Sequence, residues 1–214
     1  LMTNMRNAVS CCNEQDLHSA LSWNMFDWAG IDDNHRTVVH NSMFLVGALQ
    51  AAAAAAAELG HAADEEFCRK WQHRISAAVN ALWDEKRAAF PDAIKEDGTP
   101  SDSISQHTSA LALLYDIAPP KRRDAMVKNL IAPPEDMVTA GSPFALFYFM
   151  EALEKAGNDE AVLDMIRDWW GRMLDADART CWENVHENHH FPTRSHCHGW
   201  SAAPLDMLTR LVLG

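Results

Sequence analysis

The sequence has little positive charge. Only 18 of its 214 residues are lysine or arginine, against 30 aspartates and glutamates, and the net charge at pH 7 is −12. A chain of this kind repels phosphate backbones and anionic lipid headgroups over most of its surface. We therefore expect neither a nucleic acid nor a membrane as its partner.

Long hydrophobic runs are also missing. The most apolar stretch, residues 48–59, is mostly alanine and contains Gln50 and Glu58, and it is shorter than the roughly 20 apolar residues that a membrane span needs. Because 48% of all residues are hydrophobic, the chain can still bury a sizeable core. We expect a single soluble domain over residues 1–214.

A disulfide framework is not indicated either. The five cysteines are an odd number and are scattered through a chain that is long enough to fold without cross-links. The sequence also opens without a basic segment followed by an apolar stretch. Reduced thiols and a cytoplasmic rather than a secreted location are the expectation.

Helical periodicity runs through most of the chain, and no segment convincingly alternates as a strand. Gly60 follows the longest helical pattern, at the position where a left-handed cap is expected. Residues 84–103 are predicted to form a loop or short ribbon, because Pro91, Gly98 and Pro100 interrupt the helical period. The predicted helices are seven: 38–59, 64–83, 105–117, 121–131, 142–156, 159–174 and 200–213.

These helices pair into successive hairpins, so the predicted fold is all-α. Hairpins separated by polar loops form either a solenoid or a closed ring. The irregular spacing and the lack of a shared repeat consensus favour the ring, in which the loops at one end carry the chemistry.

Two loops, residues 21–36 and 180–203, concentrate tryptophan beside aspartate, glutamate or histidine. Aromatic platforms flanked by carboxylates suit the binding of a pyranose and the hydrolysis of its glycosidic bond. Glu183 stands out because it follows Trp182 outside any helical charge stripe, and burial beside a tryptophan tunes a carboxylate for acid or base work. The plain alternative is that the tryptophans anchor loops and that Glu183 is a solvated loop residue.

Metal and thiol chemistry are not favoured. Cys197 lacks a third group that would orient a neighbouring histidine, and no glycine-rich phosphate loop is present. The histidines of the second loop match no regular zinc spacing, so neither a metal nor a cofactor is expected; they are His186, His189, His190, His196 and His198.

Five short motifs resemble the bacterial inverting α-L-rhamnosidases, and the similarity runs over nearly the whole chain from about Ser22. The loop motifs are the more specific ones. In chain order the motifs are F-D-W-A-G-I-D at 26–32, L-W-D-E at 82–85, S-Q-H-T-S-A-L-A-L at 105–113, T-C-W-E at 180–183 and S-H-C-H-G-W-S-A-A-P at 195–204.

The resemblance implies helical hairpins that form part of an (α/α)6 toroid, and hydrolysis of terminal α-L-rhamnose with inversion, without a metal or a cofactor. It places the general base at Glu183, a sugar-binding residue at His198 and a pocket-lining tryptophan at Trp28. The neighbouring residues expected to bind substrate are Asp27, Trp182 and Trp200.

The resemblance also predicts what is missing. The general acid of these enzymes lies in a motif of the form D-E-R-L-G-W, which this sequence does not contain; Asp27, Asp32 or Asp33 could in principle replace it. Seven helices are too few for a ring of twelve, so we expect a fragment of a larger catalytic domain. An open half-ring exposes apolar surface, which favours self-association.

Three other functions stay open on the sequence. The chain could be a carbohydrate-binding helical toroid without catalysis, or a helical-repeat module that binds a protein. It could also act on another sugar such as a uronic acid, whose carboxylate needs a cationic clamp, for which Arg36 and Arg194 are the candidates.

Overall fold

The computed structural model describes residues 1–185 and 195–213, and within these ranges the chain is an all-α structure of helical hairpins, as predicted. Two very short strands accompany eight α-helices. In chain order the elements are α1 Met2–Ser10, β1 Thr37–Val38, α2 Val39–Glu58, α3 Ala62–Ala81, β2 Ala93–Ile94, α4 Gln106–Leu114, α5 Arg123–Ile131, α6 Pro143–Lys155, α7 Asp159–Asp175 and α8 Ala203–Leu208.

The first hairpin pairs α2 with α3 across a tight turn. Gly60 takes the left-handed conformation there, with φ of 71°, as predicted from its position after the helix. The small alanines of α2 allow close packing, and α3 presents Cys68, Ile75 and Val79 to the core at helical spacing.

Helix α4 lies at the centre of the molecule. Eight of its nine residues are buried, since it packs against α2, α5 and α6 at once. Helices α6 and α7 form a further hairpin whose buried faces include Phe149 and Trp170. The core therefore lies between the helical hairpins. The loops that join the helices lie outside the core, where their side chains can form a functional site.

Helix α2 is long and apolar enough to cross a membrane by those two criteria alone. However, 56% of its most apolar window is buried inside the protein, and the buried residues pack against α3 and α4. This is the pattern of a core helix.

Three sequence predictions about secondary structure were wrong. Helix α1 was missed, although Met2, Met5 and Val9 recur at helical spacing and pack in or against the core. The antiparallel pair β1 and β2, with Thr37 opposite Ile94, is too short to give an alternating pattern. The helix predicted for 200–213 is broken into a 3-10 turn, α8 and a π turn, since Pro204 lacks the N–H that an unbroken helix would use there.

None of the five cysteines forms a disulfide. Cys68 is buried under α1, and its Sγ lies 3.9 Å from the Sδ of Met2. Burial raises the pKa of the Cys68 thiol above its usual range, which keeps it protonated and unreactive at neutral pH. Free thiols agree with the prediction from the cysteine count.

Candidate functional site

A cavity of about 260 Å³ lies where the two tryptophan-rich loops meet the start of α6. It brings together five of the six site residues predicted from the sequence: Asp27, Trp28, Glu183, His198 and Trp200. We call it the Glu183 cavity. The remaining lining residues are Trp23, Met25, Phe26, Ser142 and Phe144.

The carboxylate of Glu183 is the polar centre of this cavity. Trp28 Nε1 donates a hydrogen bond of 3.1 Å to its Oε1 atom, and His198 Nδ1 lies 4.0 Å from its Oε2 atom. Only 17% of the Glu183 side chain is exposed. One carboxylate oxygen is therefore held by an indole while the other faces an imidazole across a gap.

Main-chain hydrogen bonds place Glu183 and His198 side by side. The N–H of Glu183 donates to the carbonyl of Ser195 at 2.9 Å, and the N–H of His198 donates to the carbonyl of Cys181 at 2.9 Å. These two bonds tie the segment after α7 to the segment before α8. The two polar side chains thus reach the cavity from neighbouring stretches of backbone.

An aromatic wall faces the carboxylate. The rings of Phe144 and Trp200 lie 4.9 Å apart, and the ring of His198 meets Trp200 edge-on at 5.8 Å. Trp28 is 39% exposed and Trp200 is 68% exposed, which is high for indole rings. Flat rings presented to solvent beside polar groups suit the apolar face of a sugar.

Asp27 lies beneath the cavity as a buried anchor. Its Oδ1 accepts hydrogen bonds from the N–H of Trp28 at 2.7 Å and from the Ser142 hydroxyl. Its Oδ2 accepts from the N–H of Gly141 and from His107 Nε2, each at 2.7 Å. Burial would raise the pKa of Asp27, but these bonds, that of His107 above all, hold it below its usual value.

The backbone at Gly141 passes very close to the backbone of Trp28 and Ala29. A Cβ added to Gly141 would lie 2.4 Å from the carbonyl carbon of Trp28 and 2.5 Å from the amide nitrogen of Ala29. Only glycine leaves room for that approach. Gly141 and Asp27 together fix the main chain of Trp28 against the start of α6.

Trp182 is the predicted site residue that does not line the cavity. Its ring stacks on His196 with centroids 4.7 Å apart and planes inclined by 16°, and its main-chain N–H donates to the Sδ of Met173. It supports the loop next to Glu183. His186, His189, His190 and Arg194 lie outside the described residues, and among residues 1–185 and 195–213 no group of three potential metal ligands comes together.

Sequence analysis missed Phe144 and the partners of Asp27. Residues 142–156 were correctly predicted as a helix, and Pro143 lies in its first turn. Ser142, however, makes no side-chain capping bond to α6, because its hydroxyl donates to Asp27. A serine before a helix is normally predicted to cap it, so the sequence pattern did not indicate that Ser142 bonds to Asp27.

Helical hairpins thus carry an aromatic cavity that contains the Glu183 carboxylate. Residues 2–212 match the bacterial alpha-L-rhamnosidase 6 hairpin glycosidase domain. The chain belongs to this family. No curated protein sequence matches it.

Solved rhamnosidase structures share the fold over the whole chain. A GH78 family rhamnosidase of Bacillus sp. GL1 is 38% identical with a TM-score of 0.93, covering 100% of this chain and 23% of that one. A rhamnosidase from Klebsiella oxytoca with rhamnose bound is 22% identical with a TM-score of 0.76, covering 96% of this chain and 40% of that one. The chain thus spans less than half the length of these two proteins.

Proposed function

We propose that this chain holds a terminal α-L-rhamnose in the Glu183 cavity and supplies Glu183 as the general base of an inverting hydrolysis. The observation that carries the proposal is the environment of Glu183: a partly buried carboxylate 3.1 Å from an indole N–H and opposite an aromatic wall. A cavity of about 260 Å³ is of the size that one pyranose fills.

The arrangement leaves Glu183 free to take a proton. A carboxylate has about four lone-pair sites, and the Trp28 indole uses one of them. His198 Nδ1 at 4.0 Å is too far for a direct hydrogen bond, so a hydroxyl or water oxygen about 2.8 Å from both atoms can bridge them. Glu183 then accepts a proton from water as the water oxygen bonds to the anomeric carbon.

The leaving oxygen needs a proton from a second carboxyl group, roughly 6.5 to 9.5 Å from the base in inverting enzymes. Asp27 is the other carboxyl on this cavity among the described residues. Its lowered pKa and its four hydrogen bonds as an acceptor make it a poor proton donor. The full sequence also lacks the D-E-R-L-G-W motif that carries the acid in the rhamnosidases it resembles, so we infer that the general acid is supplied by a larger catalytic domain.

The relatives support rhamnose as the sugar. Their printed descriptions name rhamnosidases, and the Klebsiella oxytoca structure holds rhamnose. A uronic acid is less favoured because Arg36, the candidate clamp within the described residues, does not line the Glu183 cavity.

Two measurements on the same samples test the proposal. Intrinsic tryptophan fluorescence is followed while L-rhamnose is added, and hydrolysis of p-nitrophenyl α-L-rhamnoside is recorded in parallel. We expect saturable quenching, because Trp28 and Trp200 line the cavity, and no turnover by the chain alone. D-glucose is the matched control ligand.

The outcomes separate the two parts of the proposal. Quenching without turnover supports rhamnose binding and an acid from elsewhere, and restored turnover in the full gene product that carries the chain then distinguishes an enzyme from a binding toroid. Turnover by the chain alone contradicts the inference about the acid. Equal responses to rhamnose and glucose contradict the assignment of the sugar.

A further inference from the structure

The 3-10 turn Gly199–Ser201 carries one side of the Glu183 cavity. We call it the Trp200 turn. Trp200 lies at its centre and His198 comes immediately before it, and both residues line the cavity. A turn of three residues makes few hydrogen bonds of its own. The contacts that fix it against the rest of the molecule therefore decide where these two rings lie.

Two main-chain bonds close the Trp200 turn. The N–H of Ser201 donates to the carbonyl of His198 at 3.0 Å, and the N–H of Ala202 donates to the carbonyl of Gly199 at 3.1 Å. Ser201 is therefore hydrogen-bonded to one of the two cavity residues and covalently joined to the other. A shift of the Ser201 backbone would move both rings.

A buried indole on α7 holds the backbone of Ser201. Trp170 Nε1 donates a hydrogen bond of 2.9 Å to the carbonyl of Ser201. Both residues are buried, and a hydrogen bond shielded from water is stronger than an exposed one. The two residues are 31 positions apart in the chain. The bond thus ties one side of the cavity to a helix of the core.

Two further contacts of the Trp200 turn lie closer to the surface. The ring of Trp200 packs against Phe144, but Trp200 itself is largely exposed. The N–H of His198 donates to the carbonyl of Cys181, which is only partly buried and belongs to the segment that carries Glu183. Of these three contacts, the Trp170 bond is the buried one.

The position of its acceptor distinguishes this bond from ordinary core packing. A buried tryptophan normally finds an acceptor for its N–H, and any main-chain carbonyl would serve. The carbonyl that Trp170 uses belongs to the turn that carries Trp200. Trp170 itself does not line the Glu183 cavity, so it can act on a bound sugar only through the turn.

We propose that Trp170 is a positioning residue for sugar binding, whose indole N–H fixes the Trp200 turn so that the rings of His198 and Trp200 line the Glu183 cavity. Glu183 has other supports, since Trp28 Nε1 bonds to its side chain and the carbonyl of Ser195 to its main chain. Loss of the Trp170 bond should therefore weaken sugar binding and preserve proton transfer. This inference rests on the proposed function, since it assumes a sugar in that cavity.

The first test replaces Trp170 by phenylalanine, which keeps an aromatic ring in the core and removes the N–H. Trp71→Phe, at a partly buried tryptophan of α3 that does not line the cavity, is the matched control. Calorimetric titration of the 214-residue chain with L-rhamnose should give a dissociation constant about fivefold higher in Trp170→Phe, as the loss of one well-placed contact would. The control should bind as the wild type does.

Kinetics in the full gene product that carries the chain separate positioning from stability. With p-nitrophenyl α-L-rhamnoside, Trp170→Phe should raise KM by about fivefold and leave kcat unchanged, the pattern of lost binding. A variant that is only less stable has fewer folded molecules, so its apparent kcat falls while its KM stays the same. Urea unfolding of each variant measures the folded fraction.

A second variant perturbs the Trp200 turn from the surface and decides the test if Trp170→Phe does not fold. Ala202 is exposed. Ala202→Pro removes the N–H that donates to Gly199, and proline disfavours the helical conformation of the preceding Ser201. This substitution leaves the core unchanged and should raise the dissociation constant and KM at least as much as Trp170→Phe.

Three results would overturn the inference. One is an unchanged dissociation constant and KM in Trp170→Phe, and another is a lower kcat at unchanged KM. The third is an affinity of Ala202→Pro equal to that of the wild type, because the position of the turn would then not matter. If the wild-type chain binds L-rhamnose in each case, the proposed function stands without this role for Trp170, whereas a wild-type chain that does not bind contradicts both.

Discussion

The two loops that form the Glu183 cavity are held in different ways. The Trp28 loop is fixed by the buried carboxylate of Asp27, which also bonds to His107 of α4 and to Gly141 and Ser142 just before α6. The Glu183 loop is held by main-chain bonds to the segment before α8 and by the indole of Trp28. One loop is anchored in the core and the other lies near the surface.

This difference separates stability from chemistry. Removing a buried, fully bonded carboxylate leaves its partners unsatisfied in a low-dielectric environment, which destabilises the fold. Glu183 is partly exposed, so we expect its replacement to have little effect on packing and, as the proposed general base, a large effect on turnover. The following substitutions test that separation, starting with the largest expected effect.

Glu183→Gln should abolish most of the turnover without affecting the fold. In the full gene product that carries this chain, we expect the turnover of p-nitrophenyl α-L-rhamnoside to fall by about 10² to 10⁴, the usual contribution of a general base. Binding of L-rhamnose should change little. Glu58→Gln, at the exposed end of α2, is the control, and turnover similar to the wild type in Glu183→Gln would remove Glu183 from the mechanism.

Asp27→Asn should destabilise the chain by roughly 2 to 4 kcal/mol, since an amide cannot accept all the hydrogen bonds that the buried carboxylate accepts. Urea unfolding measures the loss. Asp136→Asn removes an exposed carboxylate that pairs with Arg87 and should cost less than about 1 kcal/mol. Similar losses for the two variants would mean that Asp27 does not anchor the Trp28 loop.

The effect of Asp27→Asn should depend on pH. Because the pKa of Asp27 lies below its ordinary value of 3.8, the ionised carboxylate stabilises the fold above that pH and loses this contribution as the pH falls through the lowered pKa. The difference in unfolding free energy between wild type and variant should therefore shrink below about pH 4. Buried His40, with its pKa lowered to about 4, is present in both proteins, so its contribution to the pH dependence cancels in the difference. A difference that grows on acidification would contradict the assignment.

Gly141→Ala should destabilise the chain by about 1 to 3 kcal/mol, as overpacking does, because the new Cβ meets the backbone of Trp28. It should also weaken rhamnose binding by displacing the indole. Gly171→Ala in the middle of α7, where nothing lies within 4 Å of the added atom, should stabilise by about 0.5 to 1 kcal/mol. A melting temperature that falls in Gly141→Ala and rises in Gly171→Ala would confirm the close approach of Gly141 to the Trp28 backbone. Changes of the same sign in both variants would refute it.

The smallest expected effect concerns association between chains. Leu205 is 77% exposed and Leu213 is 79% exposed, and an apolar surface of this kind favours contact with a second copy. We expect light scattering to detect dimers at high micromolar concentration and Leu205→Glu to reduce them. Leu59→Glu, at a leucine 73% exposed in the first hairpin, should not; a monodisperse wild-type monomer contradicts the prediction.

The elements that the sequence predicted well are those with a local signal. Helices α2 to α7 follow apolar periodicity and clear end residues, and the short loop motifs placed Glu183, His198 and Trp28 in one cavity. Helix α1 carries Met2, Met5 and Val9 at helical spacing, but its nine residues are fewer than the 11 or more over which such a period is normally counted. The helix predicted for 200–213 is interrupted before α8, where Pro204 cannot donate a main-chain hydrogen bond. The apolar pattern of these residues does not show where the interruption falls.

The parts of the site that were not predicted depend on contacts between distant segments. His107 and Asp27 are 80 residues apart, and Gly141 is 114 residues from Asp27. His107 lies on a helix that is buried on all sides, where a histidine reads as an ordinary core residue. Nothing in its local pattern indicates that its ring holds the loop beneath the cavity.

The bond between Asp27 and Ser142 spans 115 residues and has a consequence for biosynthesis. Closing so large a loop carries an entropic cost that only prior docking of the intervening hairpins can offset. The cavity wall formed by Trp28 therefore cannot take its position before α6 has been synthesised. The Glu183 carboxylate can join it only after the chain beyond α7 has been synthesised. The proposed sugar binding therefore requires that both α6 and the Glu183 loop have been synthesised and folded.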